Sequence, residues 1–192
     1  MDLQHVHAKL FVQNPETVDS AQMIPIFHSW IQDRTCEELL LDVADYRHVP
    51  GGPGVILIGH EANYSLDNTN HRLGVRYSRK APLDGSAQDR LEQALRAALL
   101  ACRRLEGDPR LSGNLRFNGR EMELTVNDRL IAPNVGATRS ALEPEIRALC
   151  NQLLAGQDYS LCYEADPRRL FSVTVNSSRA FAVPDLLNNL LS

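Results

Sequence analysis

Apolar residues recur along this chain at two spacings, every second residue or every three to four, and the switches between them outline its elements. Residues 3–13 (LQHVHAKLFVQ) alternate and carry Val and Phe, which predicts a first strand. DSAQMIPIFHSWIQD then places Met23, Phe27 and Trp30 at helical spacing, with Asp19 or Ser20 as N-cap. Pro25 either opens that helix or kinks it early. ELLLDVADY and GVILIGH are short, nearly continuous apolar runs, the pattern of strands buried on both faces. The polar stretch ANYSLDNTNH reads as a long loop, and LGVRYSRK as a fourth strand.

The clearest element spans 86–106. Leu91, Leu95, Ala98, Leu99, Cys102 and Leu105 mark one helical face, and Glu92 and Arg96 form an i,i+4 pair. Ser86 and Asp89 have capping-box spacing, and Gly107 fits the stop. GNLRFNGREMELTVND predicts a hairpin turning at Asn118-Gly119. A helix over 138–155 ends at Gly156, and YSLCYEA and RLFSVTVNS flank an Asp-Pro turn as a second hairpin. VPDLLNNLL is a short terminal helix with Pro184 near its start.

Hairpins outnumber crossovers, so the predicted class is α+β: a mainly antiparallel sheet with helices packed on one face. Both halves can be written as strand, helix, hairpin, and both carry proline after Ser-Ala (SAQMIP at 20–25, SALEP at 140–144). That favours a duplicated βαββ unit. A ferredoxin-like βαββαβ core in residues 3–127 with a C-terminal extension is the alternative. Residues 1–192 read as one globular domain, in which the halves would be 1–107 and 108–192.

With 43% hydrophobic and 23% charged residues, 192 residues suffice for a core without staples. A net charge of −4 and a pI near 5.9 argue against nucleic-acid binding. No basic-then-apolar leader and no run near the ~20 residues of a membrane span is evident, so no membrane partner is expected. Cys36, Cys102, Cys150 and Cys162 are widely spaced, with no CxxC pair. They read as free thiols, mostly buried, and the expected location is cytoplasmic.

No motif names a reaction or a cofactor. The glycines of HVPGGPG lead into a strand, whereas a phosphate loop needs a helix N-terminus, so a hairpin turn is the better reading. His60-Glu61 lacks the HExxH partner, because Tyr64 stands in the fifth place. His5 and His7 share a strand face with Lys9, whose charge would repel a cation; they read as an exposed pair. All six histidines fall within the first 71 residues. If the hairpin turns at Gly51, His60 falls opposite Asp42, which shares a face with His48. A carboxylate–imidazole pair of this kind serves either acid–base chemistry or the satisfaction of buried polar groups. Tyr64, Asn68 and His71 are the candidates on the polar loop.

The expected ligand-binding set is therefore Asp42, His48, His60, Glu61, Tyr64 and His71, with no catalytic or metal-ligating residue assigned. The leading functional expectation is a non-catalytic module that binds a small molecule or interacts with a partner. The second is a small enzyme using an Asp/His/Glu acid–base or metal site around residues 42–61. The third is a homodimeric or larger assembly joined through the sheet edge or through Leu186, Leu187, Leu190 and Leu191.

Overall fold

The computed structural model describes residues 1–191. Eight strands are found among them: β1 (Val6–Val12), β2 (Leu40–Tyr46), β3 (Gly54–Gly59), β4 (Ala62–Asp67), β5 (Gly74–Arg79), β6 (Phe117–Val126), β7 (Tyr159–Tyr163) and β8 (Phe171–Ser177). All pairs are antiparallel, in the order β2-β3-β4-β5-β1-β6-β8-β7. The helices are α1 (Met23–Asp33), α2 (Ala87–Glu106), α3 (Gly136–Leu153) and α4 (Val183–Leu190). The fold is α+β, and none of the described helices is long and apolar enough to cross a membrane.

Alternation in the strands decides which face the helices cover. One register row runs Leu57, Tyr64, Tyr77, Ala8, Leu124, Val173, and every member is buried. α2 lies over β1 and β5 with Leu91, Leu95, Ala98, Leu99 and Cys102 in the core, and α1 brings Trp30 edge-on to Tyr64. The adjacent row runs Ile56, Ser65, Arg76, Lys9, Glu123, Thr174 and lies on the face without helices. One face is oily and the other is charged.

The strand order is a palindrome about the β1/β6 pair. Reading outward, β1 is followed by β5 and β4, and β6 by β8 and β7. The β2–β3 hairpin extends the first side alone. The segment β1-α1-β4-β5-α2-β6, in sheet order β4-β5-β1-β6, is also the ferredoxin-like arrangement. The two topologies weighed from sequence therefore share strands and coexist.

Several local expectations hold. Asp19 caps a short 3-10 turn (Ser20–Gln22) that leads into α1. The Ser86/Asp89 capping box is formed reciprocally: Asp89 N–H donates to Ser86 Oγ at 3.1 Å and Ser86 N–H to Asp89 Oδ2 at 2.7 Å. Ser86→Ala should therefore cost about 1 kcal/mol, seen as a melting temperature lower by roughly 2–4 °C. An unchanged melting curve would mean the box adds nothing to α2. HVPGGPG is the β2–β3 turn, and Gly54 at its end has φ of +66°; a Cβ there would come 2.0 Å from the Leu66 carbonyl oxygen. Leu186, Leu187 and Leu190 are buried in the molecule's own core, leaving Leu191 exposed.

Others are corrected. Residues 62–67, expected as loop, form β4, because Ala62, Tyr64 and Leu66 face the helices while Asn63, Ser65 and Asp67 alternate outward. β2 is an edge strand, half exposed rather than buried on both faces; Asp42 and Asp45 place carboxylates along that edge. Asn118-Gly119 makes no hairpin. Register passes from Val12↔Phe117 to Leu10↔Met122, so residues 118–121 bulge opposite Phe11. Asn118 Oδ1 accepts from the Arg120 N–H within that bulge, and Gly119 lets the Phe181 backbone approach, since a Cβ would meet its carbonyl oxygen at 1.8 Å. Pro144 sits in the middle of α3 rather than near a helix start. Arg96 pairs with Glu37 at 3.0 Å instead of Glu92.

Candidate functional site

Charge on the uncovered face gathers around β1. Its outward residues are His7, Lys9 and Phe11, and register sets Lys9 between Arg76 and Glu123, and His7 between Ser78 and Thr125. Lys9 is 3% exposed and Asp67, from β4, is 1% exposed, although both lie on the face that no helix covers. Lys9 Nζ donates to Asp67 Oδ2 at 2.5 Å. Thr69 Oγ1 donates to Asp67 Oδ1 at 2.7 Å, and Arg76 Nη1 stands 3.9 Å from the same oxygen. Burial pushes the Lys9 pKa down while Asp67 pulls it back. Phe11 walls one side, with the Arg72 guanidinium 3.7 Å above its ring centre.

His7 completes the cluster. Arg76 Nη2 lies 2.8 Å from His7 Nδ1; a guanidinium can only donate, so Nδ1 is the acceptor of a neutral ring. Burial, then Arg76 and His5, drive the His7 pKa down to about 3, against the pull of Asp67. The expected exposed His5/His7 pair is thus overturned for His7, which is partly buried under Arg76, while His5 lies 3.9 Å from Asp128. With Nδ1 occupied and its pKa low, His7 orients Arg76 and takes up no proton at neutral pH.

Arg76 of this cluster also lines a cleft of about 320 Å³ on the same face. The sheet supplies Arg76, Glu123, Thr125 and Ser172, the last two joined by a 2.9 Å hydroxyl–hydroxyl hydrogen bond. The β4–β5 connection supplies Thr69 and Asn70. From the β7–β8 turn, Arg169 is paired with Glu164 and donates to Asn70 Oδ1 at 3.2 Å, while Arg168 is paired with Asp166. Asn70 and His71 both hold left-handed φ, at 60° and 56°, so this loop is a strained one. Arg129, from the β6–α3 connection, is exposed on the cleft wall and has no hydrogen bond or ion pair among the described residues. The hydrogen bond that Glu123 accepts is a long one, 3.5 Å from Thr125 Oγ1.

The residues singled out from sequence do not converge. The β2–β3 register pairs Asp42 with Ile58, so His60 does not fall opposite it; Tyr46 pairs with Gly54, which centres the turn on Pro50, one residue before Gly51. Asp42 is exposed and accepts from the Val43 N–H at 2.7 Å. His48 stacks on Tyr46 at the exposed turn. His60 is exposed, 3.3 Å from Glu61, whose other oxygen accepts from the Leu39 N–H at 3.0 Å and braces the start of β2. Tyr64 lies on the helix side, donating to Glu38 at 2.8 Å, and burial raises its pKa. His71 sits over Gly51, next to the two loop residues that line the cleft. No three His, Cys, Asp or Glu side chains among the described residues are placed to hold a metal ion.

A second cavity of about 380 Å³ lies between α2 and the α1–β2 connection; its polar groups pair largely with one another, while the buried Gln93 Oε1 has no hydrogen-bond partner among the described residues. The Glu38 carboxylate accepts from Tyr64 and Tyr77, and Tyr77 accepts in turn from Gln93. Lys9 was the missed signal for the open-face site: a lysine inside the apolar run VHAKLFV needs a buried partner if that strand is central. Compared with protein families, curated proteins and solved structures, the chain matches none significantly.

Proposed function

We propose that this protein is a non-catalytic binding module that holds a small oxyanion-bearing molecule in the open-face cleft. The observation that carries the reading is the unpaired Arg129 guanidinium on the wall of a cleft whose other arginines are already engaged. Arg76, Arg168 and Arg169 also line the cleft but are engaged, with His7 and Asp67, with Asp166 and with Glu164 respectively, so Arg129 is the guanidinium left over. Guanidinium forks match carboxylate and phosphate oxygens two at a time, which suits this excess. The chain as a whole carries −4, so the positive potential is local and favours a small anion over a nucleic-acid strand. The hydroxyls of Thr125 and Ser172 add neutral hydrogen-bonding partners.

Calorimetric titration with inorganic pyrophosphate tests the reading. Saturable binding is expected, weakened roughly ten- to hundredfold by Arg129→Gln, the loss of one charged hydrogen-bond partner. No binding by the wild-type protein, or equal affinity in the variant, would sink it. Because Arg129 is exposed and unpaired, its replacement leaves the fold intact, and the melting temperature of the variant checks this.

A further inference from the structure

The same cleft carries an acceptor that an anion alone leaves unused. Arg76, Lys9 and Glu123 form one row across β5, β1 and β6. Adjacent strands lie about 4.8 Å apart, so the backbones of Arg76 and Glu123 are roughly 10 Å from one another. Lys9, between them, would ordinarily neutralise Glu123. Its ammonium is instead committed to Asp67 at 2.5 Å on the other side. Arg76 is likewise turned toward His7 and Asp67. Glu123 therefore faces the cleft with a single long hydrogen bond from Thr125, in a wall otherwise rich in guanidinium groups.

We infer that the ligand is a small zwitterion, with its oxyanion on the cleft arginines and an ammonium group on Glu123. The inference rests on the proposed oxyanion site and adds the second pole. A carboxylate in a cleft with excess arginine weakens the binding of any simple anion. It becomes favourable when the ligand brings a cation of its own, because an ammonium–carboxylate contact is a charge-assisted hydrogen bond. The cleft volume suits a molecule of a few heavy atoms between its charged ends.

The test compares pairs that differ only in the ammonium group: phosphoethanolamine against ethyl phosphate, and 6-aminohexanoate against hexanoate. The two pairs separate a phosphate from a carboxylate as the source of the oxyanion. The expected result is that the ammonium-bearing member of at least one pair binds about tenfold or more tightly. Glu123→Gln should abolish that preference while leaving the plain anion bound as well as before, or better. Equal affinity within both pairs overturns the zwitterion, even where pyrophosphate binding upholds the oxyanion site. A preference that survives in a folded Glu123→Gln protein also overturns it. If the variant does not fold, the wild-type comparison alone decides. Failure of all four compounds and of pyrophosphate removes both readings together.

Discussion

Asp67→Ala is expected to destabilise the protein by about 3–5 kcal/mol, read from the midpoint of urea unfolding at neutral pH. The size follows from what is left behind. Lys9 is 3% exposed, and among the described residues Asp67 is the one carboxylate within hydrogen-bonding distance of its ammonium group. Without Asp67 the lysine must stay charged and unpaired in the interior or give up its proton, and Arg76 lies close enough to add repulsion. Lys9→Met alone should be costly for the converse reason. The double variant Lys9→Met/Asp67→Leu should recover most of the loss, because two apolar side chains of similar volume remove both desolvation penalties at once. The coupling between the two positions is thus expected to be several kcal/mol. Single and double variants that simply add would show the pair to be energetically unlinked.

Acid should expose the other half of the cluster. The folded protein holds the His7 pKa near 3, whereas the unfolded chain binds a proton there below about 6.5. The unfolded state thus carries more protons between these limits, and stability must fall as pH drops through that window. The slope is at most about 1.4 kcal/mol per pH unit from this one group, or roughly 2–3 kcal/mol between pH 6.5 and 4.5. His7→Gln keeps an acceptor for Arg76 and cannot be protonated. Urea midpoints at neutral pH and at acid pH should therefore converge in the variant relative to the wild type. Parallel losses in the two proteins would show that His7 takes no part.

The legible features of this fold were those written in local chemistry. A long amphipathic run, a Ser/Asp box and a glycine stop specify α2 within one turn at either end. The misread features depended on neighbours distant in sequence. ANYSLD is polar enough to resemble a loop, and only its pairing with β3 and β5 makes the alternation of Ala62, Tyr64 and Leu66 decisive. Asn118-Gly119 does break the regular strand, but β1 on one side and β8 on the other hold the chain straight where an isolated segment would reverse. The site was hidden for the same reason. Lys9, Asp67, Arg76 and Glu123 come from four strands, and neither charge nor spacing along the chain links them. The histidines, conspicuous by number, are mostly at the surface.

The palindromic strand order has a consequence for how the chain is assembled as it is made. β1 is synthesised long before its partner on one side, β6, which begins only at Phe117. Residues up to the end of α2 can pair β2-β3-β4-β5-β1, and at that stage β1 is an edge with unmet N–H and C=O groups and apolar Val6, Ala8 and Leu10 beside them. Such an edge invites pairing between neighbouring nascent chains. Lys9 and Asp67 both belong to that five-stranded stage, so their ion pair can form there and sets a charged group, not an apolar one, at the midpoint of the open edge until Phe117–Val126 arrives to close it.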